Sequence, residues 1–249
     1  MVQHNLEHRR LLRRTFRFIE KVHKGTDRQR RNGDGQPRSY DHHPMEVALF
    51  FAEMEIFERR SKHKNLTSEQ VAKKILAIVE RIADMDKPQL KRRLLTVSRQ
   101  MNNDQMTTLV GLLCHDAVEE ARKKGKSRRK KIKATKECVA GIRALREGAE
   151  KIAKRLTDAR KHTDKKQKRK HQIKLARRRK YASVKKYDII INMFDQMLIP
   201  DSIRDPVKKR AVLEHMHEFM CEAYQRRHIS FAYYRASDLI YQKAMAQLG

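Results

Sequence analysis

Residues 103–122 read NDQMTTLVGLLCHDAVEEAR. At helical spacing Leu109, Leu112, Leu113, Ala117 and Ala121 gather on one side, which predicts one amphipathic helix over the whole stretch. His115 and Asp116 fall near its middle, and Glu119 and Glu120 follow four residues after each, so four polar groups line one flank. An imidazole beside a carboxylate suits a divalent cation, and two carboxylates one turn on suit a proton acceptor for water. The polar edge of an ordinary surface helix has the same pattern.

Working outward, residues 3–24 predict an amphipathic helix, with Leu6, Leu11, Leu12, Phe16, Ile19 and Val22 near one side. Residues 23–43, HKGTDRQRRNGDGQPRSYDHH, predict a loop. There Arg28, Arg30 and Arg31 beside Gly33 and Gly35 are placed to cradle phosphate, since glycine lets the backbone approach closely. Pro44 predicts a helix start with His43 just before the first turn, held against the core. Thr67 with Gln70, then Asp86 with Pro88, mark the starts of helices over about 68–86 and 88–101, both read as packing elements without chemistry.

Beyond the central stretch, GKSRRKKIK predicts a basic turn and residues 135–156 a helix with Val139, Ile142, Leu145, Ala149 and Ile152. Residues 157–180 are so dense in charge that a nucleic-acid patch or a flexible loop is expected. Helical pattern returns at YASVKKYDIIINMFDQML, where Asp188 and Asn192 stand four apart among isoleucines. A carboxylate in such an apolar run needs a partner, either a metal ion or a buried Lys or Arg. Asp205-Pro206 and Ser230 open the last two helices. No strand pattern and no internal repeat emerge, so the expected class is all-α and the expected organisation one domain over 1–249.

Sixty Lys/Arg against thirty Asp/Glu give a net charge of +30 over 249 residues. The excess is local: residues 122–186 hold 29 Lys/Arg against 5 Asp/Glu, and residues 1–40 hold 11 against 4. Such blocks call for a polyanionic partner, a phosphate-rich nucleotide or a nucleic acid along 122–186. Aromatic residues are only 6% and Trp is absent, which weighs against general base stacking. Mean hydropathy is −0.86, and no run of eighteen apolar residues occurs, so no membrane partner is expected. The N-terminal MVQHNLEHRRLLRR lacks the apolar core of a secretory signal. Cys114, Cys138 and Cys221 lack metal-type spacing and are expected as free thiols, which points to the cytoplasm.

Taken in order, His43, His115-Asp116 and Asp188 form an H…HD…D series that resembles the HD superfamily of metal-dependent phosphohydrolases. In detail the chain is more similar to the hydrolase domain of the RelA/SpoT alarmone enzymes, including their stand-alone metazoan branch. HKGTDRQRRNGDG followed by YDHHP resembles that family's H-x-G-Q-x-R-x-x-G…Y-x-x-H-P loop, and LLCHDAVEEA its L-L-H-D-x-x-E-D-T segment. LTDARKHTDKKQKRKHQ resembles V-T-x-x-K…K-x-x-R-K-x-x-Q, and VKKYDIIINM resembles K-L-A-D-R-L-H-N-M. The four segments span about residues 14–200 in family order.

The resemblance implies an HD helical bundle with an inserted helix pair at about 60–102 and C-terminal helices over about 201–249. It implies one Mn²⁺-like ion on His43, His115, Asp116 and Asp188, with Glu119 and Glu120 activating water. Arg30, Arg31, Lys166, Arg169, Lys170 and Asn192 would then meet the nucleotide, guanosine tetra- or pentaphosphate, whose 3′-diphosphate leaves as pyrophosphate. Glu120 stands where the family has Asp, Asn32 where it has a basic residue, and Tyr187 where it has a small one. Two alternatives stay open: an HD phosphatase acting on NADPH or on a cyclic or oligomeric nucleotide, and a nucleic-acid-binding protein on an HD scaffold.

Overall fold

Helices begin where a side chain can satisfy the otherwise orphaned backbone N–H groups. Asp86 accepts from the Gln89 amide at 2.6 Å while the Gln89 side chain accepts from the Asp86 amide at 2.7 Å. Asn102 and Gln105 form the same reciprocal pair at 2.9 and 3.0 Å, as do Thr67 and Gln70. Asp205 accepts from the Val207 amide at 2.8 Å, with Pro206 at the first helical position.

The computed structural model describes residues 2–24, 27–31, 37–39, 41–61, 65–123, 127–157, 165–199 and 204–248; at the two strands and at scattered helical positions it describes the backbone alone. Among them lie twelve α-helices: α1 Val2–His23, α2 His42–Ser61, α3 Ser68–Ala83, α4 Lys87–Val97, α5 Asn103–Leu113, α6 His115–Lys123, α7 Arg128–Leu145, α8 Ala149–Leu156, α9 Lys165–Ala176, α10 Arg179–Leu198, α11 Pro206–Gln225 and α12 Phe231–Ala246. The all-α class follows. No helix among the described residues is long and apolar enough to cross a membrane.

Four local expectations need correction. A two-stranded ribbon, β1 Asp27–Arg31 with β2 Pro37–Ser39, lies inside the expected loop. Its DRQRR and PRS segments carry no alternating apolar pattern, so periodicity could not reveal it. The central stretch is two helices, because Cys114 leaves helical geometry at φ −99°, ψ 2°. The helix expected over 135–156 starts earlier, at Arg128 behind a Ser127 cap, and breaks at Gly148, whose φ of +88° suits glycine. Residues 165–176 of the charge-dense segment form α9.

The chain divides into two compact units. The first comprises Met1–Asp27, Ser39–Arg60 and Ile82–Ala159, and thus α1, α2 and α4 to α8. Here α5 packs on α8 so closely that a Cβ on Gly111 would lie 2.6 Å from the Ile152 Cβ. An added methyl there would overpack the contact, at about 1–3 kcal/mol. α6 packs on α7, and α1 lies against α4, α5, α6 and α7. α2 is buried on nearly every side from His42 to Met54, which explains why its sequence is apolar all round. The second unit comprises Arg28–Arg38, Ser61–Arg81 and Arg160–Gly249; in it α10 packs against α9, α11 and α12.

Candidate metal centre and substrate pocket

The break at Cys114 positions the first candidate ligand. His115 opens α6, and its Nδ1–H donates to the Leu112 carbonyl at 2.6 Å. The Thr157 hydroxyl at the end of α8 sits 2.8 Å from the His115 carbonyl and buries the turn from the other side. The proton on Nδ1 leaves the Nε2 lone pair as the ligating one, and a carbonyl behind the ring is the usual support for a metal-bound histidine. Nε2 lies 3.1 Å from Oδ1 of Asp116. Two electron-rich atoms at that distance repel unless a cation or a second proton joins them. Adjacent ligands on one ion with bonds of about 2.1 Å at right angles stand about 3.0 Å apart, so the pair suits a shared divalent ion.

His43 lies in the first turn of α2 and is 3% exposed. Its ring meets that of His115 edge-on, centroids 5.7 Å apart, with the ligand nitrogens of the two rings within 4.8 Å of one another. In this unit the buried residues could therefore hold a metal ion. His42 donates through Nε2 to the Met85 carbonyl at 3.1 Å, and Lys87 at the start of α4 pairs with buried Asp41 at 2.6 Å and with Glu20 at 3.0 Å. Burial pulls the Lys87 pKa down, but Asp41 and Glu20 outweigh it and the ammonium is held above its ordinary range. The α4 segment, read from sequence as packing alone, thus fixes the residues that precede His43.

Glu120 is buried and pairs with Lys123 at 2.7 Å; Glu119 is half exposed and pairs with the same lysine at 3.1 Å. Sequence reasoning missed two neighbours. Glu46 is 2% exposed and has its carboxylate within 4.8 Å of a His43 ring nitrogen. His23 is buried, and burial lowers its pKa against the opposing pull of Asp116, Glu120 and Asp41. The H-x-G opening of the loop motif was the available signal for it.

This last shift gives a checkable pH dependence. A folded pKa below the ordinary value of about 6.5 means the unfolded chain binds the proton more readily. Stability should therefore be complete above that value, fall as pH drops through it, and level off below the folded pKa. Denaturant midpoints at pH 7.5 and 5.5, taken in chelator, should drop less for His23→Gln than for the unsubstituted protein. Equal drops would show that His23 takes up its proton as readily in the folded protein as in the unfolded chain.

In the second unit Asp188 is 4% exposed on α10. Lys185 Nζ lies 2.5 Å from its Oδ2, and Asn192 Nδ2 donates to Oδ1 at 2.7 Å. Of the two partners the sequence left open, a lysine is present here, half-buried rather than buried. The remaining lone pairs of a carboxylate still allow it to act as a ligand. Beside these groups lies a pocket of about 210 Å³ walled by Gln172 of α9, by Tyr181, Lys185, Asp188 and Asn192 of α10, and by His215 and Phe219 of α11. His215 Nε2 meets Gln172 Oε1 at 2.5 Å. The pocket is smaller than the roughly 300–1,000 Å³ of a whole-ligand site. Asn192, which the resemblance implies as a nucleotide contact, is among the lining residues, as are Gln172, Lys185 and His215, which the sequence did not single out.

Lys170 is exposed on α9. Lys166 and Arg169 share that helix, and Arg30 and Arg31 lie in β1, but their side chains fall outside the described residues, as do Asn32, Gly33 and Gly35 altogether. Tyr187 packs edge-on against Tyr233 of α12, ring centroids 5.8 Å apart.

Comparison with protein-family models, curated proteins and solved structures found no match.

Proposed function

We propose that the chain is a divalent-metal-dependent phosphohydrolase that removes the 3′-diphosphate of guanosine tetra- or pentaphosphate as pyrophosphate. The observation that carries this reading is the buried His115 Nε2 held 3.1 Å from the Asp116 carboxylate, with the His43 ring beside it. His43, His115, Asp116 and Asp188 are the assigned ligands, Asp188 on the H…HD…D order of the sequence. Their mixed nitrogen and oxygen donors suit a borderline ion such as Mn²⁺. Bound there, such an ion supplies Lewis acidity toward a phosphoryl oxygen and toward water.

The chain's own groups supply the rest. Glu119 and Glu120 accept the proton of the attacking water, and Lys123, paired with both, holds the two carboxylates side by side. Lys166, Arg169 and Lys170 on α9, with Arg30 and Arg31, neutralise the polyphosphate. Asn192 and the pocket beside it orient the nucleotide.

The test is steady-state hydrolysis with Mn²⁺ on guanosine tetraphosphate, with NADPH and with cyclic and oligomeric nucleotides as competitors. Pyrophosphate release from guanosine tetraphosphate is expected; turnover of another nucleotide alone would keep the metal site and replace the substrate. Neutralising Lys166 and Arg169 together should raise KM about 10- to 100-fold for each cation removed from the phosphates, with a smaller change in kcat. Unchanged kinetics would remove α9 from the substrate site.

A further inference from the structure

Aromatic residues are scarce in this chain, yet four of its seven tyrosines, 224, 233, 234 and 241, fall on α11 and α12. Where these helices meet, Tyr224 and Tyr234 stack in parallel, centroids 4.9 Å apart at 9°. Phe231 leans on both, at 5.7 Å and 6.2 Å. Tyr224 stays 36% exposed and Phe231 42%, so this cluster keeps aromatic surface open to solvent.

Arginines frame the cluster. Arg177 and Arg226 both donate through Nε to one oxygen of Glu222, at 2.8 and 3.1 Å, which fixes two guanidinium groups side by side. One carboxylate neutralises one of the two charges, and each arginine side chain remains 55% exposed. His228 Nε2 donates to the Arg177 carbonyl at 2.9 Å and ties the turn after α11 to the start of the exposed run Arg177, Arg178, Arg179. Arg227, also exposed, holds φ at +55°, the left-handed region where a helix C-terminus normally has glycine. A side chain there costs about 1–2 kcal/mol, which packing does not offset because the residue is exposed. Its charge is the property that glycine would lack.

We propose that this surface of the second unit binds single-stranded nucleic acid, with a base stacked on Phe231 and Tyr224 and the backbone phosphates on Arg177, Arg226 and Arg227. Stacking tolerates any base and forked guanidinium groups match phosphate, which together define a strand-binding surface without base readout. A duplex offers no open base faces, and an anionic membrane none at all. The site uses no residue of the proposed hydrolytic centre, so either can fail without the other.

The experiment is fluorescence anisotropy with labelled twelve-nucleotide uridine and thymidine strands, the matching duplex, and phosphatidylserine vesicles as a competitor. Two variants report separately. Phe231→Ala should weaken strand binding about 5- to 150-fold, the range for losing one stacked base. Arg227→Gly should raise the melting temperature by releasing backbone strain while lowering the salt slope of binding by about 0.7, one phosphate contact on a single strand. Both should leave nucleotide hydrolysis unchanged. Equal affinity for the two strands is expected, since neither contact reads the sugar. Lys130→Gln, a charge removed from α7, should leave the Phe231 and Arg227 effects larger than its own. Affinity within twofold of the unsubstituted protein in Phe231→Ala, tighter binding of duplex than of strand, or loss of strand binding to vesicles would overturn the proposal.

Discussion

His115→Ala is expected to abolish divalent-ion binding and nucleotide hydrolysis while the helical fold persists. The ring supplies Nε2 to the proposed ion, and its Nδ1–H bond to the Leu112 carbonyl fixes which nitrogen faces Asp116. Changing a group that merely supports a metal-bound histidine costs about 10- to 100-fold in affinity, so deleting the ligand should cost at least about 100-fold. Asp188→Asn should have the same effect for a second reason. It also takes the countercharge from Lys185, which is 16% exposed, so some stability is lost with the ion. Elemental analysis, circular dichroism and turnover on purified variants separate these outcomes: His115→Ala should keep its melting temperature far better than Asp188→Asn. Full activity in either variant would remove that residue from the ligand set.

Glu119→Gln is expected to retain the ion and lose turnover by about 10²–10⁴-fold, the contribution of a positioned general base. Glu119 stands one turn after His115 and is half exposed, so it can exchange its proton with solvent between turnovers. Glu120 is buried against Lys123, and removing its charge weakens that pairing and alters the surroundings of His23. Glu120→Gln should therefore lower stability as well as turnover, whereas Glu119→Gln should lower turnover alone. Single-turnover rates measured beside the ion content of both variants check the assignment. Loss of the ion together with activity would make Glu119 a ligand.

The helical class was legible because apolar spacing survives a very high charge. Leu109, Leu112, Leu113 and Ala117 are all buried as their spacing implied. The break at Cys114 was not legible, because VGLLCHDAVEE has no Gly or Pro at the break and keeps its apolar rhythm; the Leu112 carbonyl bond to His115 decides it. The ribbon was hidden for the opposite reason, a strand pair made of polar residues and a proline. Of the candidate site, His43, His115 and Asp188 were legible as polar groups set in apolar runs, and all three are buried. Glu46 carried the same signal, a carboxylate in the apolar run MEVALFF, and was missed; Lys185 and His215 gave none, because each stands among ordinary polar residues and only packing within the second unit turns it toward the pocket. Lys87 escaped for a related reason: its partners Glu20 and Asp41 are far away in sequence.

The most direct measurement of the central claim is the stoichiometry of Mn²⁺ binding by electron paramagnetic resonance, with hydrolysis of guanosine tetraphosphate followed in the same samples. One ion per chain is expected, lost together with activity in chelator, restored by Mn²⁺, and absent in His115→Ala. No bound ion, or hydrolysis that persists in chelator, would contradict it.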